Sequence, residues 1–506
     1  MTSSRMTSSK KLSNVVHNTV FLSVCQFVIK ALSAVWTFYL ARRLGISTYG
    51  LWANLLSLIS IFGVLQGFGI LGIVFKDISQ NAEESRRYFG SALIIYGISS
   101  IIAFVLVLSF SWALGYSSER LMLVVLGGLS FITIAPGMGC QSILWRMHDF
   151  VIYTVIYSMG TAVYMGLGAI LVESGFKVGG IFAALSVGYL ITSGTLFWIT
   201  VRRVGMPIFQ GYKELSIYLV KLGFPLVLGS LLTEAVLRID RVLIDKFLGE
   251  SAVGFYHAVF NVIYMPREIF LIPFITAIAG KLYASYGHNP LEFRKLFEQA
   301  NSILLIVVLP ILGFCIIFPG AIVHLLYGKN FDPSIRLMPF QIWILLPFFL
   351  NSLWQSVLIV KNQTYLVFGI NLAGVIFNVL FNILLLPRWG IWAAVFAAVL
   401  TQFLILVLMM FFSTGEGLFA FLYRAPRSIL ACICSLLLIF LLKGQGNASV
   451  LLFFVLVVCG SLLYAVFLIL FRAVSKEEIS FLWVRIKGLQ SILKKYFNFK
   501  SVVLKV

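Results

Sequence analysis

The stretch from Leu219 to Tyr256 reads LVKLGFPLVLGSLLTEAVLRIDRVLIDKFLGESAVGFY. It begins as an apolar run of the kind that crosses a bilayer and then takes up charge. Glu234, Arg238, Arg241 and Asp245 are spaced 4, 3 and 4. At about 100° per residue all four fall on one helix face, within roughly 60° of each other. A charge at the bilayer centre costs about 2.5–3.5 kcal/mol on insertion scales, so the stripe faces protein or water rather than lipid. The order of signs (minus, plus, plus, minus) allows i,i+4 pairing along the helix.

Outward from this stretch the chain repeats the same theme. Of its 506 residues, 60% are hydrophobic and 11% charged, a balance that excludes a soluble protein of this size. Apolar segments are read near 18–41, 49–75, 89–114, 121–145, 150–173, 179–201, 219–247, 251–279, 299–327, 334–360, 364–386, 390–412, 427–442 and 448–471. They predict an all-α integral membrane protein of about 14 transmembrane helices. The formal net charge is +20. The positive-inside rule accounts for it better than nucleic acid does, because Lys and Arg concentrate in the connections on the side of the N-terminus. Both termini are therefore expected in the cytoplasm, and no nucleic-acid partner is. The first segment reads as a retained span, since no A-x-A cleavage site follows a short apolar run. The six cysteines lie inside apolar segments and form neither a disulfide framework nor a metal-ligand spacing.

Two internal echoes predict a duplicated chain. Leu248-Gly249 with Gly254-Phe255-Tyr256 repeats Leu44-Gly45 with Gly50-Leu51-Trp52, 204 positions on, and the same offset sets Glu234 against Lys30. Gly180-Ile181-Phe182-Ala183-Ala184 returns as Gly390-Ile391-Trp392-Ala393-Ala394 at an offset of 210. Six helices per half is an even number, so the halves run in the same direction and enclose a site near the midplane. The expected organisation is a cytoplasmic N-terminus (1–17), an N-lobe (18–201) and an inter-lobe loop (202–218). A C-lobe (219–412) and two further helices (427–471) follow. The last part is a basic amphipathic tail (472–506) on the cytoplasmic leaflet, held by anionic lipid.

Motifs for soluble-enzyme chemistry are weak. Gly67 to Gly72 fits G-x-G-x-x-G, but it lies in an apolar span and follows no strand, so close helix packing explains it. No Walker A sequence, H-E-x-x-H or outer loop with paired carboxylates is present, and the chain is not expected to be an enzyme. What remains is polarity within the spans. Lys30, Arg238 and Arg267 are candidate cavity cations for a phosphate-bearing substrate, and Glu234 and Glu268 are candidates for holding a coupling cation. Adjacent Arg267 and Glu268 are expected to point about 100° apart and so to face different partners. Asp240, Arg241, Asp245 and Lys246 are assigned to the outer headgroup region. Asn371, Asn378 and Asn382 share one helix face, as do Tyr153, Tyr157 and Tyr164; both stripes suit sugar hydroxyls and sugar faces, and equally suit interhelical packing.

Three segments carry a family resemblance. Tyr39 to Gly50 (YLARRLGISTYG), Asp240 to Tyr256 (DRVLIDKFLGESAVGFY) and Asn378 to Ala398, with Pro387 and the Gly-Ile-Trp-Ala-Ala run, look like the corresponding patterns of oligosaccharide flippases. These belong to the multidrug/oligosaccharidyl-lipid/polysaccharide exporter superfamily, and the resemblance covers about residues 12–412. It implies two pseudo-symmetric six-helix lobes, MATE-like, in a V shape around a cationic cavity, plus two extra C-terminal helices. It implies an undecaprenyl-pyrophosphate-linked oligosaccharide as substrate, flipped by alternating access in a bacterial inner membrane. Other implied partners are membrane lipid and the polysaccharide polymerase machinery. No cofactor is expected beyond coupling to a proton or sodium gradient. Lys30 and Arg267 match the first and eighth helices, where relatives carry cavity cations. The competing reading is a cation-coupled multidrug exporter of the same superfamily.

Overall fold

A computed structural model describes residues 25, 27–413, 418–443 and 450–473. The N-terminal segment 1–17 and nearly all of the amphipathic tail lie outside the described residues. Within them the chain is helical throughout, with no strand. The helices are α1 (27–44), α2 (Ile46–Gly67), α3 (Leu71–Gln80), α4 (Ser85–Ala113), α5 (Ser118–Arg146), α6 (Phe150–Glu173) and α7 (Lys177–Val204). They continue as α8 (Tyr212–Leu248), α9 (Glu250–Pro266), α10 (Ile272–Ser285), α11 (Pro290–Ile317) and α12 (Pro319–Tyr327). The last are α13 (Asp332–Gln341), α14 (Leu345–Val360), α15 (Thr364–Trp389), α16 (Ile391–Phe412), α17 (Leu418–Lys443) and α18 (Val450–Leu470). Twelve helical stretches among the described residues are long and apolar enough to span a membrane, and Pro426–Leu442 forms a shorter apolar helix.

Several expected spans are interrupted, each for a local reason. The span read at 49–75 breaks between α2 and α3, where Phe68 and Gly69 turn left-handed. The backbone of α8 passes so close there that a Cβ on Gly223 would meet the Phe68 carbonyl oxygen at 2.1 Å. The span read at 251–279 changes pitch at Pro266, which has no N–H to give, and a π-turn (Arg267–Leu271) follows it. The connection expected over 202–218 is shorter: α7 runs to Val204, and α8 starts at Tyr212 with Glu214 in its first turn.

The helices form two compact units. The first holds residues up to Phe270, Val323–Gln341 and Thr364–Ile405. In it α7 packs against α5 and α6, α2 against α8 and α9, and α15 against α8. Small residues permit the closest seams: a Cβ on Gly160 of α6 would lie 1.7 Å from Thr192 Oγ1 of α7. The second unit holds Leu271–Ile322, Ile342–Gln363 and the residues from Leu406 onward. There α11 packs on α14 and α17, and α17 on α18, with Phe297 edge-on to the buried Trp354 at 4.8 Å.

The first echo is repeated in backbone conformation. Gly45 (φ 74°, ψ 171°) and Gly249 (φ 83°, ψ 176°) are left-handed residues that cap α2 and α9 respectively. The glycines five positions later meet each other: a Cβ on Gly50 would lie 1.8 Å from the Glu250 carbonyl oxygen, and one on Gly254 would lie 2.5 Å from that of Ile46. The second echo is not repeated locally, because Gly180 is inside α7 whereas Gly390 (φ 57°) is the turn before α16.

Candidate substrate cavity

Within the first unit α1, α2, α8 and α9 enclose a cavity of about 230 Å³. Lys30, Arg238, Arg241, His257, Asn261 and Glu268 supply its polar wall, and Trp52, Phe38, Phe260 and Tyr264 its aromatic wall. Three lining cations face one lining carboxylate. Including Arg267 and Glu234, which pair with lining residues, leaves the same surplus of two.

Glu268 is the hub of the wall. Its Oε2 accepts from Lys30 Nζ of α1, and its Oε1 accepts from Arg267 Nη1 at 2.7 Å, which also donates to the Tyr264 hydroxyl at 2.8 Å. Helical spacing predicts that the two adjacent residues face apart. Instead both long side chains reach one point within the locally altered helix that follows Pro266. The echo set Lys30 against Glu234, but Glu234 accepts from Arg238 Nε of its own helix at 2.5 Å, one turn away as the i,i+4 spacing permits.

Arg241 is buried in the cavity wall, 1% exposed. Nη1 donates to Ser57 Oγ at 3.0 Å and Nη2 to the Leu237 carbonyl at 2.8 Å. Its guanidinium lies 4.2 Å from the centre of the Phe260 ring. It makes no salt bridge among the described residues. His257, which the sequence reading did not single out, is also buried in this wall, between the rings of Tyr49, Trp52 and Phe260. Its place directly after the echoed Gly254-Phe255-Tyr256 was the available signal.

The two polar stripes lie outside this cavity. Asn371, Asn378 and Asn382 are buried on the face of α15 that packs against α8. Asn382 Nδ2 donates to Asp240 Oδ1 at 3.1 Å, and Tyr256 Oη donates to Asp240 Oδ2 at 2.9 Å, so Asp240 is a buried hydrogen-bond acceptor. Tyr153 and Tyr157 stack at 6.2 Å, and the Tyr164 hydroxyl accepts from Trp36 Nε1 at 2.9 Å. A separate polar cluster ties the start of α5 to the junction of α8 and α9. Arg120 reaches Asp245 and Glu250, each at 2.8 Å, Ser47 donates to Glu250 at 2.7 Å, and Lys246 donates to the Leu114 carbonyl at 2.6 Å. Beside them, burial and the nearby Asp245 carboxylate push the phenol of Tyr116 well up.

Comparison with known proteins fits this architecture. Teichuronic acid biosynthesis protein TuaB of Bacillus subtilis (strain 168) is 22% identical over 281 residues, taking in 54% of this chain and 55% of that protein. The chain thus spans about half the length of this curated relative. Among solved structures, Lipid II flippase MurJ in an inward closed conformation superposes with a TM-score of 0.73 at 14% identity, over 90% of this chain and 99% of that one. An inward-facing multidrug resistance MATE family transporter of the MOP superfamily superposes with a TM-score of 0.60 at 14% identity, over 77% of this chain and 97% of that one. At that identity the likeness is one of fold. Residues 15–279 match the family described as polysaccharide biosynthesis protein, and with more than half of its length matched, this multi-pass membrane chain belongs to that family.

Proposed function

We propose that the protein is a flippase. It moves an undecaprenyl-pyrophosphate-linked oligosaccharide from the cytoplasmic to the outer leaflet of a bacterial inner membrane by alternating access, and it makes no or breaks no covalent bond. The observation that carries the reading is the cavity among α1, α2, α8 and α9, with two more cations than carboxylates inside a bundle of membrane-spanning helices. Such a wall favours an anionic headgroup and disfavours a drug cation. The family match and the MurJ-like fold support the same class. Glu234 and Glu268, each already paired with a cation, are the candidates through which a proton or sodium gradient drives the cycle. Lipid-linked saccharide, membrane lipid and the polymerase that extends the polymer are the proposed partners.

The test is the fate of lipid-linked saccharide in a deletion strain. One repeat unit accumulating on the cytoplasmic leaflet, with loss of surface polymer, is the expected result; Lys30→Ala or Arg267→Ala should reproduce it with protein still in the membrane. Increased drug sensitivity with intact polymer would replace this reading with cation-coupled multidrug export, which the MATE-like fold also accommodates.

A further inference from the structure

We infer that a recess where three spans begin, lined by Phe255, Asp332, Arg336 and Trp392, is a binding site for a phospholipid whose headgroup carries both a primary ammonium and a phosphate. The recess shares no lining residue with the cavity among α1, α2, α8 and α9, and the site stands whatever that cavity transports. It lies in the first unit and has a volume of about 360 Å³, with Pro333, Leu337 and Ile391 completing its wall. Phe255, Asp332 and Ile391 fall in the opening turns of the candidate spans Glu250–Ser285, Lys329–Val360 and Ile391–Phe412 respectively. A recess shared by the ends of three spans meets the interfacial layer of a bilayer, where headgroups lie. On the orientation that the Lys and Arg bias predicts, this is the outer leaflet.

The recess holds one carboxylate and one guanidinium, a turn apart on α13. The two are exposed and do not pair with each other. Asp332 Oδ1 accepts from His324 Nε2 at 2.6 Å, which leaves Oδ2 without a described partner, and Arg336 makes no hydrogen bond or ion pair to a described residue. A purely anionic headgroup would suit Arg336 and be repelled by Asp332. A quaternary ammonium would bring Asp332 a charge but no N–H. An ammonium joined to a phosphate through two carbons suits both, with N–H donors for the carboxylate and paired oxygens for the planar guanidinium. The surface leading away from the recess is an independent indication. On α16, Trp392, Phe396 and Leu400 repeat at i, i+4 and i+8, about 12 Å along the helix. Phe396 and Leu400 are exposed, as is Phe340 of α13, whose ring meets that of Trp392 edge-on at 5.2 Å. In a span this apolar, an exposed stripe of that kind faces acyl chains. The charged pair at the span's start and the apolar stripe beyond it thus match the two ends of one amphiphile. The volume is near the lower limit of the roughly 300–1,000 Å³ typical of small-molecule sites, which admits a headgroup and leaves the chains on the stripe.

The full-length protein, purified in detergent, would be titrated with dioleoyl phosphatidylethanolamine, phosphatidylcholine and phosphatidylglycerol, with lipid adducts followed by native mass spectrometry. Wild type should hold the ethanolamine lipid about fivefold tighter than the other two, the upper end for an exposed charge pair. Asp332→Asn should remove the preference over the choline lipid. Arg336→Gln should weaken the ethanolamine and choline lipids alike, and Lys30→Gln, in the other cavity, should change neither. Thermal midpoints equal to wild type would show that the Asp332 and Arg336 variants are folded, as their exposure predicts. Equal affinity for ethanolamine and choline lipids in wild type, or a preference that survives Asp332→Asn, would overturn the ammonium assignment. Tightest binding of phosphatidylglycerol, lost in Arg336→Gln, would replace it with an anionic-lipid site. Displacement of bound lipid by millimolar sucrose would assign the recess to sugar instead.

Discussion

Glu268 holds two cations, Lys30 and Arg267, on its two oxygens, and the consequence is an asymmetry among single substitutions. Glu268→Gln removes the carboxylate that Lys30 and Arg267 share. Lys30→Gln leaves Glu268 still bonded to Arg267. We therefore expect Glu268→Gln to lower the thermal midpoint of the purified protein more than Lys30→Gln, measured by fluorescence-detected unfolding in one detergent. Asp240 offers a second contrast. It is 2% exposed and accepts from Tyr256 and Asn382, so Asp240→Ala orphans buried donors and should cost about 1–3 kcal/mol, read as a lower midpoint and lower yield. The polar residues themselves were legible in the sequence, because an apolar background makes every charge conspicuous. Their partners were not. Lys30 and Glu268 are 238 positions apart, and repeat offsets say which residues occupy matching places in two halves, not which side chains touch.

Between elements, the seam of α2 and α9 rests on glycine against backbone. A Cβ at Gly254 would press on the Ile46 carbonyl oxygen at 2.5 Å, and main chain cannot swing aside as a flexible side chain can. Gly254→Ala is expected to destabilise by about 1–3 kcal/mol through overpacking. Gly166→Ala in α6, where a Cβ meets nothing within 4 Å, should be neutral or slightly stabilising because alanine is the better helix former; thermal midpoints of the two variants side by side check the pair. The echo that includes Gly50 and Gly254 was visible as sequence, and its left-handed caps follow from glycine's conformational freedom at Gly45 and Gly249. That the two later glycines pack on each other could not be read, since it depends on how closely two helices approach. The interruption after Pro266 shows the same limit. A proline in a helix announces a disturbance, but its form, a π-turn that carries Arg267 and Glu268 to one point, is set by the neighbours available to satisfy the freed groups.

Over the whole chain, the bias of Lys and Arg predicts an orientation that labelling can check. On a cysteine-free background, Ser118→Cys at the start of α5 should react with an impermeant maleimide added to intact cells stripped of their outer layers. Lys213→Cys at the start of α8 should react only after the membrane is opened. Both positions are exposed, so access reports the side of the membrane and not burial. The sequence by itself determined that the chain is helical and multi-pass and where most spans run. It also determined which few residues break the apolar rule, because the cost of placing polar groups in hydrocarbon is paid locally, residue by residue. Only the tertiary structure decided which cations form direct salt bridges, and with which carboxylates. Arg241 lies on the same helical stripe as Arg238 and Glu234, and one-dimensional spacing gives all of them equal standing. The difference arises where α1, α2, α8 and α9 converge: there Glu234 turns to Arg238, Glu268 to Lys30 and Arg267, and Arg241 hydrogen-bonds Ser57 and the Leu237 carbonyl and lies against Phe260.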